Sequence, residues 1–148
     1  MKLSTKGRYG VKAMVDLAIH YDGQPVSIKN ISERQGISEY YLEQLFSQLR
    51  KANLIRSIRG AQGGYILSKD PKYISIDDIM KVLEGPVEIS ECIDDIDGNS
   101  CNNVGCCATR LLWSRIRDSI DNVMESTTLQ NIVDDYNSMN KKKIVKKE

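Results

Sequence analysis

Two short helical segments separated by a glycine are the feature that most constrains the fold of this chain. Ser27 is placed to cap a helix that ends near Gly36, and Ser38 is placed to cap a second helix that reaches about Ala52. Apolar residues recur on one side of the pair and are Ile31, Ile37, Leu42 and Leu45. This spacing is typical of a helix-turn-helix, although many helical hairpins share it.

Two strand-like runs directly follow the second helix and sharpen that interpretation. They cover residues 54–59 and 64–67, and the turn between them reads Gly-Ala-Gln-Gly. A hairpin with arginines on one arm and glycines at its tip is what a DNA-binding wing should look like. We therefore expect a mainly α fold with a small β-hairpin, that is, a winged helix-turn-helix domain.

Further helices are predicted on both sides of this unit. Ser4 is a candidate cap for a first helix from Thr5 to about Tyr21, and Ser75 with Asp78 forms a plausible capping box for residues 76–83. A long helix is expected over residues 108–125, followed by a short helix with Thr127 as its cap and Gln130 as capping-box partner. The long helix carries a stripe formed by Leu112, Ile116, Ile120 and Val123. That stripe predicts a homodimer interface, and the alternative is core within one chain.

These elements suggest four regions. We expect a DNA-binding domain over residues 1–85, a cysteine-bearing sensor loop over 86–107, a dimerisation helix with a short terminal helix over 108–138, and a disordered basic tail over 139–148.

Charge is segregated along the chain although its formal net charge is only +1. Residues 1–64 carry ten Lys and Arg against five Asp and Glu, residues 65–140 carry six against fourteen, and the last eight carry five Lys and one Glu. The front half is therefore the candidate for phosphate contact, although many proteins that never bind nucleic acid share such a balance. No run approaches the roughly 18 apolar residues of a membrane span, so we expect a cytoplasmic protein without a membrane partner.

The second helix of the pair and its basic surroundings supply the predicted DNA contacts. Gln44 can pair with an adenine edge and Glu43 can accept from a cytosine amine, while Glu39 and Glu43 can alternatively be solvated surface charges. Lysines and arginines are predicted to contact phosphates, and the glycines of the wing tip allow the backbone to approach a groove. The predicted DNA-binding residues are Lys2, Lys6, Arg8, Glu39, Tyr40, Tyr41, Glu43, Gln44, Arg50, Arg56, Arg59, Gly60 and Gly63.

All four cysteines lie within sixteen residues, at positions 92, 101, 106 and 107. In a reducing compartment this clustering favours a metal or redox site over a structural disulfide. Thiolate binds iron and zinc alike, and the uneven spacing favours an iron–sulfur cluster over a tight zinc knuckle. A single histidine and the lack of a nucleophile with its base argue against an enzyme.

Four segments make the family recognisable. Residues 1–9 (MKLSTKGRY), 41–46 (YLEQLF), 58–65 (IRGAQGGY) and 83–86 (LEGP) resemble the IscR-type family of bacterial winged helix-turn-helix regulators. The similarity covers residues 1 to about 135. It implies operator DNA and a second copy of the chain as partners, and a repressor of iron–sulfur or cysteine metabolism genes.

The same resemblance implies Cys92, Cys101 and Cys107 as ligands of an iron–sulfur cluster, with a 2Fe-2S cluster favoured over 4Fe-4S. This chain departs from the family pattern in two places. Eight residues separate the first two cysteines where IscR has five, and Arg110 occupies the position of a ligating histidine; an arginine cannot bind iron. The fourth ligand is therefore open, with Cys106 the nearest candidate and His20, Asp94, Asp97 or a small thiol as alternatives.

Three alternatives to a cluster-responsive repressor remain. One is a repressor whose cysteines form a metal-free thiol switch. Another is a CymR-like repressor that carries no cofactor and is controlled by a cysteine-biosynthesis enzyme as its partner. The third is an iron–sulfur carrier protein, for which the wing and the segregated charge would serve no purpose.

Overall fold

The computed structural model describes residues 3–94 and 107–147. Within these ranges the chain is mainly helical, with a single antiparallel hairpin, as predicted. The front half contains α1 (Thr5–His20), α2 (Ile28–Gln35), α3 (Glu39–Lys51), β1 (Ile55–Ile58) and β2 (Gly64–Leu67). A 3-10 turn (Pro71–Tyr73) leads to α4 (Ile76–Leu83), α5 (Glu91–Asp94), α6 (Ala108–Ser126) and α7 (Leu129–Lys147).

Serine caps fix where the helices of the front half begin. Ser4, Ser27 and Ser38 each accept a hydrogen bond from the backbone N–H three residues later, which satisfies a donor left open at a helix start. The capping box of Ser75 and Asp78 is also formed. These predicted caps are confirmed, and Gly36 ends α2 with a φ of 66°.

The hairpin is held against the helix pair at its base. Ile55 pairs with Leu67 and Ile58 pairs with Gly64, which leaves residues 59–63 as the turn. Val26, just before α2, exchanges backbone hydrogen bonds with Tyr65, and the Tyr65 ring lies 4.9 Å from that of Phe46 in α3. The predicted wing is therefore fixed to both helices of the pair.

One hydrophobic core joins α1 to α4 with the start of α7. The apolar residues used to predict the helix-turn-helix all lie in it and are at most 5% exposed. Met14 and Leu17 of α1 and Phe46 of α3 are completely buried beside them. Leu129, the first residue of α7, belongs to the same core, so α7 packs onto α1 rather than forming a separate unit.

Helix α6 lies outside that core. It packs against α4 and α5, and none of its residues is fully buried. Leu112 is 47% exposed and Val123 is 65% exposed, while Ile116 and Ile120 are half-buried. Two members of the apolar stripe are thus largely exposed, and the other two are partly covered within this chain.

The structure differs from prediction in the cysteine region and at the end of the chain. The short helix α5 interrupts the predicted loop, because Asp94 accepts hydrogen bonds from the backbone of Ile89 and Ser90 and closes a turn. Thr127 does not cap α7. Its hydroxyl donates to the carbonyl of Val123 at the end of α6, and Thr128 exchanges hydrogen bonds with Asn131 instead.

The prediction of a disordered tail is wrong for residues 139–147, and residue 148 lies outside the described residues. Helix α7 continues through Lys147, because each residue added to an existing helix gains a backbone hydrogen bond. No helix of the described residues is both long enough and apolar enough to cross a membrane.

Candidate nucleic-acid interface and cysteine site

The outer side of α3 presents the polar residues predicted to read DNA. Leu42, Leu45, Phe46 and Leu49 are buried on the inner side. Tyr40 is 72% exposed, and Glu39, Glu43 and Gln44 are exposed beside it. Tyr40, Glu43, Gln44, Ser47, Gln48 and Lys51 line a shallow groove along this surface. An exposed helix of this width fits the major groove of B-DNA.

The shape of the wing tip depends on glycine. Gly60 has a φ of 121°, a conformation that side chains other than glycine rarely adopt, and its carbonyl accepts from Gly63 N–H at 3.0 Å. A Cβ on Gly63 would overlap the carbonyl of Ile58, so the tip closes only without a side chain there. Arg56 and Arg59 are exposed on the arm that enters this turn.

The first turns of α1 lie beside the start of α3. The rings of Tyr9 and Tyr41 meet edge to face, with their centroids 6.1 Å apart. The guanidinium of Arg8 lies 5.9 Å from the centre of the Tyr9 ring. This contact places Arg8, which is exposed, and Lys6, which is half-buried, near the α3 surface. Lys2 was also predicted to contact DNA, but it lies outside the described residues.

The cations of this surface have no acidic partner in the part of the chain that the structure describes. Within residues 3–94 and 107–147 no ion pair involves the predicted phosphate-contacting cations, which are Lys6, Arg8, Arg50, Arg56 and Arg59. The ion pairs found there use Arg34, Lys81 and Arg117 on other parts of the molecule, with His20 beside Asp16. The structure therefore brings α1, α3 and the wing together with their cations free to meet phosphate.

Cys92 and Cys107 are the two cysteines that the structure describes. Both are half-buried free thiols; Cys92 lies in α5 and Cys107 directly precedes α6. Arg110 joins the two segments, since its Nε donates to the carbonyl of Cys92 at 3.3 Å. Arg117 makes a second link by donating to the carbonyl of Ile93 at 3.0 Å. Cys101 and Cys106, also predicted as ligands, lie outside the described residues.

Hydrogen bonding at the start of α6 favours the thiolate form of Cys107. Its sulfur lies 3.0 Å from the hydroxyl oxygen of Thr109. This contact, followed by backbone N–H groups of Arg110 and Thr109, lowers the pKa of the Cys107 thiol from its ordinary value. A thiolate is the form that binds metal and reacts with oxidants.

Two of the proposed fourth ligands make contacts within their own segments or with a neighbouring helix. His20 Nδ1 lies 3.0 Å from the carbonyl of Asp16 in its own helix. Asp94 holds the backbone of α5 with one carboxylate oxygen, and its other oxygen lies 3.6 Å from Arg117. In the described part of the chain no three His, Cys, Asp or Glu side chains converge as a metal site. A metal centre built on Cys92 or Cys107 would therefore need further ligands from outside the described residues, such as Cys101, Cys106 or Asp97.

Sequence reasoning missed a buried ion pair behind the DNA-facing surface. Asp16 is 1% exposed and accepts two-pronged hydrogen bonds from Arg34 of α2, the shortest at 2.7 Å, with a further bond from Gln35. The same contact raises the pKa of Arg34. A lone Asp in an apolar helical stripe was the only sequence signal of this tie between α1 and α2.

Comparison with known proteins finds that this chain is similar to transcriptional regulators. Residues 3–135 match the Rrf2 family, described as iron-dependent transcriptional regulators. The regulator CymR of Bacillus subtilis is 46% identical over 132 residues, which are 89% of each chain. The solved structure of B. subtilis CymR, called the global cysteine regulator, matches with a TM-score of 0.76 at 44% identity, over 90% of this chain and 97% of that one.

Regulators named IscR are similar as well. IscR of Pectobacterium atrosepticum is 40% identical over 140 residues, which are 95% of this chain and 84% of that protein. The solved structure of T. potens IscR matches with a TM-score of 0.74 at 46% identity, over 92% of this chain and 88% of that one.

Proposed function

The chain belongs to the Rrf2 family of DNA-binding transcriptional regulators, and from that premise we propose that it is a repressor controlled by its loop cysteines. Its targets would be genes of iron–sulfur cluster or cysteine metabolism. The observation that supports this most is the joint surface of α1, α3 and the wing, whose exposed cations have no acidic partners among the described residues.

On this surface α3 enters the major groove and the wing contacts the flanking backbone. Gln44 and Glu43 read base edges, and Tyr40 and Tyr41 contact phosphate or thymine methyl groups. Lys6, Arg8, Arg50 and Arg56 bind phosphates, and Arg59 with Gly60 and Gly63 approaches the minor groove. Lys2 would extend the same phosphate contacts.

Two copies of the chain would set two recognition helices on one palindrome. The exposed stripe on α6 supplies the apolar surface for a symmetric dimer, and Leu112 and Val123 are its most exposed members. Half-sites about one DNA turn apart then follow from the two-fold symmetry.

Operator binding is tested by comparing two arginine variants. Arg59→Ala should weaken binding to the operator by roughly tenfold, which corresponds to a loss of about 1.4 kcal/mol. Arg115→Ala removes the same charge from the exposed side of α6 and should leave the affinity unchanged. Fluorescence anisotropy on fragments from the chain's own promoter region measures both. Equal affinities for the two variants would contradict the proposed surface.

For the sensor we propose an iron–sulfur cluster held by Cys92, Cys101 and Cys107, with Cys106 as candidate fourth ligand and 2Fe-2S favoured over 4Fe-4S. Two of the four candidate ligands lie among the described residues, and both are suited to bind a cluster. Cys92 and Cys107 are free thiols on segments that Arg110 and Arg117 join, and Cys107 has a lowered pKa. When bound, the cluster would supply a redox- and iron-sensitive bond between α5 and the start of α6.

Anaerobic purification tests the cofactor directly. The wild-type chain should be brown and carry iron and sulfide, and Cys92→Ser and Cys107→Ser should lose most of both. Loss of iron and sulfide in Cys106→Ser would identify Cys106 as the fourth ligand. A colourless wild-type protein that takes up no iron after reconstitution would rule out the cluster and leave the repressor intact.

A metal-free repressor is the second candidate, and one contact favours it. Arg110 stands where cluster-binding relatives often have a histidine ligand, and its Nε is engaged by the carbonyl of Cys92. The cysteines would then act as a thiol switch, or a cysteine-biosynthesis enzyme would control the chain as its partner. Operator affinity that changes with thiol oxidation, or on addition of such an enzyme, in iron-free protein would support this candidate.

A further inference from the structure

Glu84, the residue that directly follows α4, caps the N-terminus of α1, although Ser4 and Glu84 are 80 positions apart in the chain. One carboxylate oxygen, Oε1, accepts hydrogen bonds from the backbone N–H of Ser4 at 3.1 Å and of Gly7 at 3.0 Å. The Ser4 hydroxyl donates to the same oxygen. These amides are among the donors that a helix leaves open at its first turn, and a carboxylate there also interacts favourably with the helix dipole.

Two glycines of α1 make this contact possible. A Cβ on Gly7 would overlap the Glu84 carboxylate and crowd the end of Met80, and a Cβ on Gly10 would overlap Leu83. Both glycines are buried within a helix, where glycine is normally disfavoured by about 0.5–1 kcal/mol relative to alanine. Their presence is explained by the close approach of α4, because no turn or positive φ requires them.

The helix end held in this way carries candidate DNA contacts. Lys6 and Arg8 lie in the first two turns of α1, on either side of Gly7. Tyr9 then contacts Tyr41 of α3, so the orientation of the α1 start relative to the recognition helix depends on contacts at both places.

We infer that Glu84 is a positioning residue for DNA binding: it holds the first turn of α1 so that Lys6 and Arg8 meet the phosphates. The inference rests on the proposed function, since it needs a chain that binds DNA. Glu84 itself does not contact DNA, because its carboxylate would repel phosphate and is turned toward the amides of α1.

The salt dependence of operator binding separates this role from a merely structural one. Each phosphate contact contributes about 0.9 to the slope of log affinity against log salt concentration, so losing two contacts in each chain of a dimer should reduce the slope by about 3.6. A variant that only destabilises the fold lowers the fraction of active protein and leaves that slope unchanged.

The experiment uses the full chain and fluorescence anisotropy between about 50 and 200 mM salt. Glu84→Ala should reduce the slope by about 3.6 for a dimer on its operator, and Glu84→Gln, which keeps an oxygen acceptor, should restore most of it. Gly7→Ala should show the same salt slope as Glu84→Ala. The Glu84 carboxylate is still present in this variant, but the new methyl group displaces it from the start of α1. In the Glu84→Ala background, Gly7→Ala should then cause little further change.

Glu88→Ala is the matched control, since it removes an exposed acid four residues away that makes no contact with α1 among the hydrogen bonds of the described residues. Its slope should equal that of the wild type. If Glu84→Ala and Gly7→Ala both show the wild-type slope, the inference about Glu84 is wrong, and the proposed function is unaffected. A wild-type chain that binds no DNA at low salt would overturn the proposed function and this inference with it.

Discussion

At several helix ends of this protein a single side chain forms the hydrogen bonds that the backbone leaves open. Ser4, Ser27 and Ser38 do so with their own hydroxyls, and Glu84 adds a carboxylate at the start of α1. Cys107 occupies the same position before α6 but makes no side-chain cap. Its sulfur instead interacts with Thr109, so the group that begins this helix is a reactive one.

Thr109→Val should make Cys107 less acidic. The Thr109 hydroxyl is the first cause of the lowered thiol pKa, so its removal should raise that pKa and shift the alkylation midpoint to higher pH. The measurement is the rate of iodoacetamide alkylation against pH in metal-free protein that retains Cys107 as its only cysteine. Thr127→Val, the same change at the other end of α6, should leave the midpoint where it is. A midpoint unmoved by Thr109→Val would show that the hydroxyl does not stabilise the thiolate.

At the scale of elements, sequence predicts this fold well where local rules determine the ends. The bounds of α2, α3 and α4 follow from Ser27, Ser38 and Ser75, because a cap and its target lie within one turn. The same rule placed the start of α7 one residue early. Thr127 is a suitable cap by type, but it is already used to end α6, and sequence alone does not reveal that competition.

Contacts between elements were harder to predict than the elements. The Asp16–Arg34 pair joins α1 to α2 across 18 positions, and the Glu84 contact spans 80. The partners cannot be paired from sequence, because each contact depends on where the two helices cross; the lone Asp in an apolar stripe only indicates that Asp16 has a partner. Most of the DNA surface could be predicted for the opposite reason: apart from Lys2, Lys6 and Arg8, its residues lie in one continuous stretch formed by α3 and the hairpin.

The Asp16–Arg34 pair should therefore matter to stability. Asp16→Asn leaves the shape unchanged but removes the charge that Arg34 pairs with, and should lower the free energy of unfolding by roughly 2–3 kcal/mol. This is less than for a fully buried pair, because the Arg34 side chain is 32% exposed. Urea unfolding measures the change.

Glu33→Gln provides the control for that experiment. It neutralises an exposed acid next to Arg34 and should cost less than about 0.5 kcal/mol. Equal losses of unfolding free energy in the two variants would mean that the Asp16–Arg34 pair contributes no more than an exposed ion pair.

The whole molecule divides into a core formed by α1 to α4 with the start of α7, and an outer helix, α6, whose apolar stripe is only partly covered by the described residues. Helix α6 turns Arg110 and Arg117 toward α5, and Leu112 projects from the opposite side because two residues turn a helix by about 200°. The stripe continues from there through Ile120 to Val123. An exposed apolar stripe beside a cysteine segment is where a second copy could sense the state of that segment.

Charges placed on this stripe should separate the dimer without unfolding either chain. Leu112→Asp with Val123→Asp buries no charge in the single chain, because the two side chains are 47% and 65% exposed, but in a symmetric interface it would bury four. We expect the sedimenting mass to fall from twice 16.7 kDa to 16.7 kDa, with an unchanged circular dichroism spectrum. Affinity for a palindromic operator should fall toward that for a single half-site, because the second recognition helix is no longer tethered. Asn122→Asp adds charge beside Val123 on another side of α6 and should leave the mass and affinity of the wild type; a double variant that still sediments as a dimer would place the interface elsewhere.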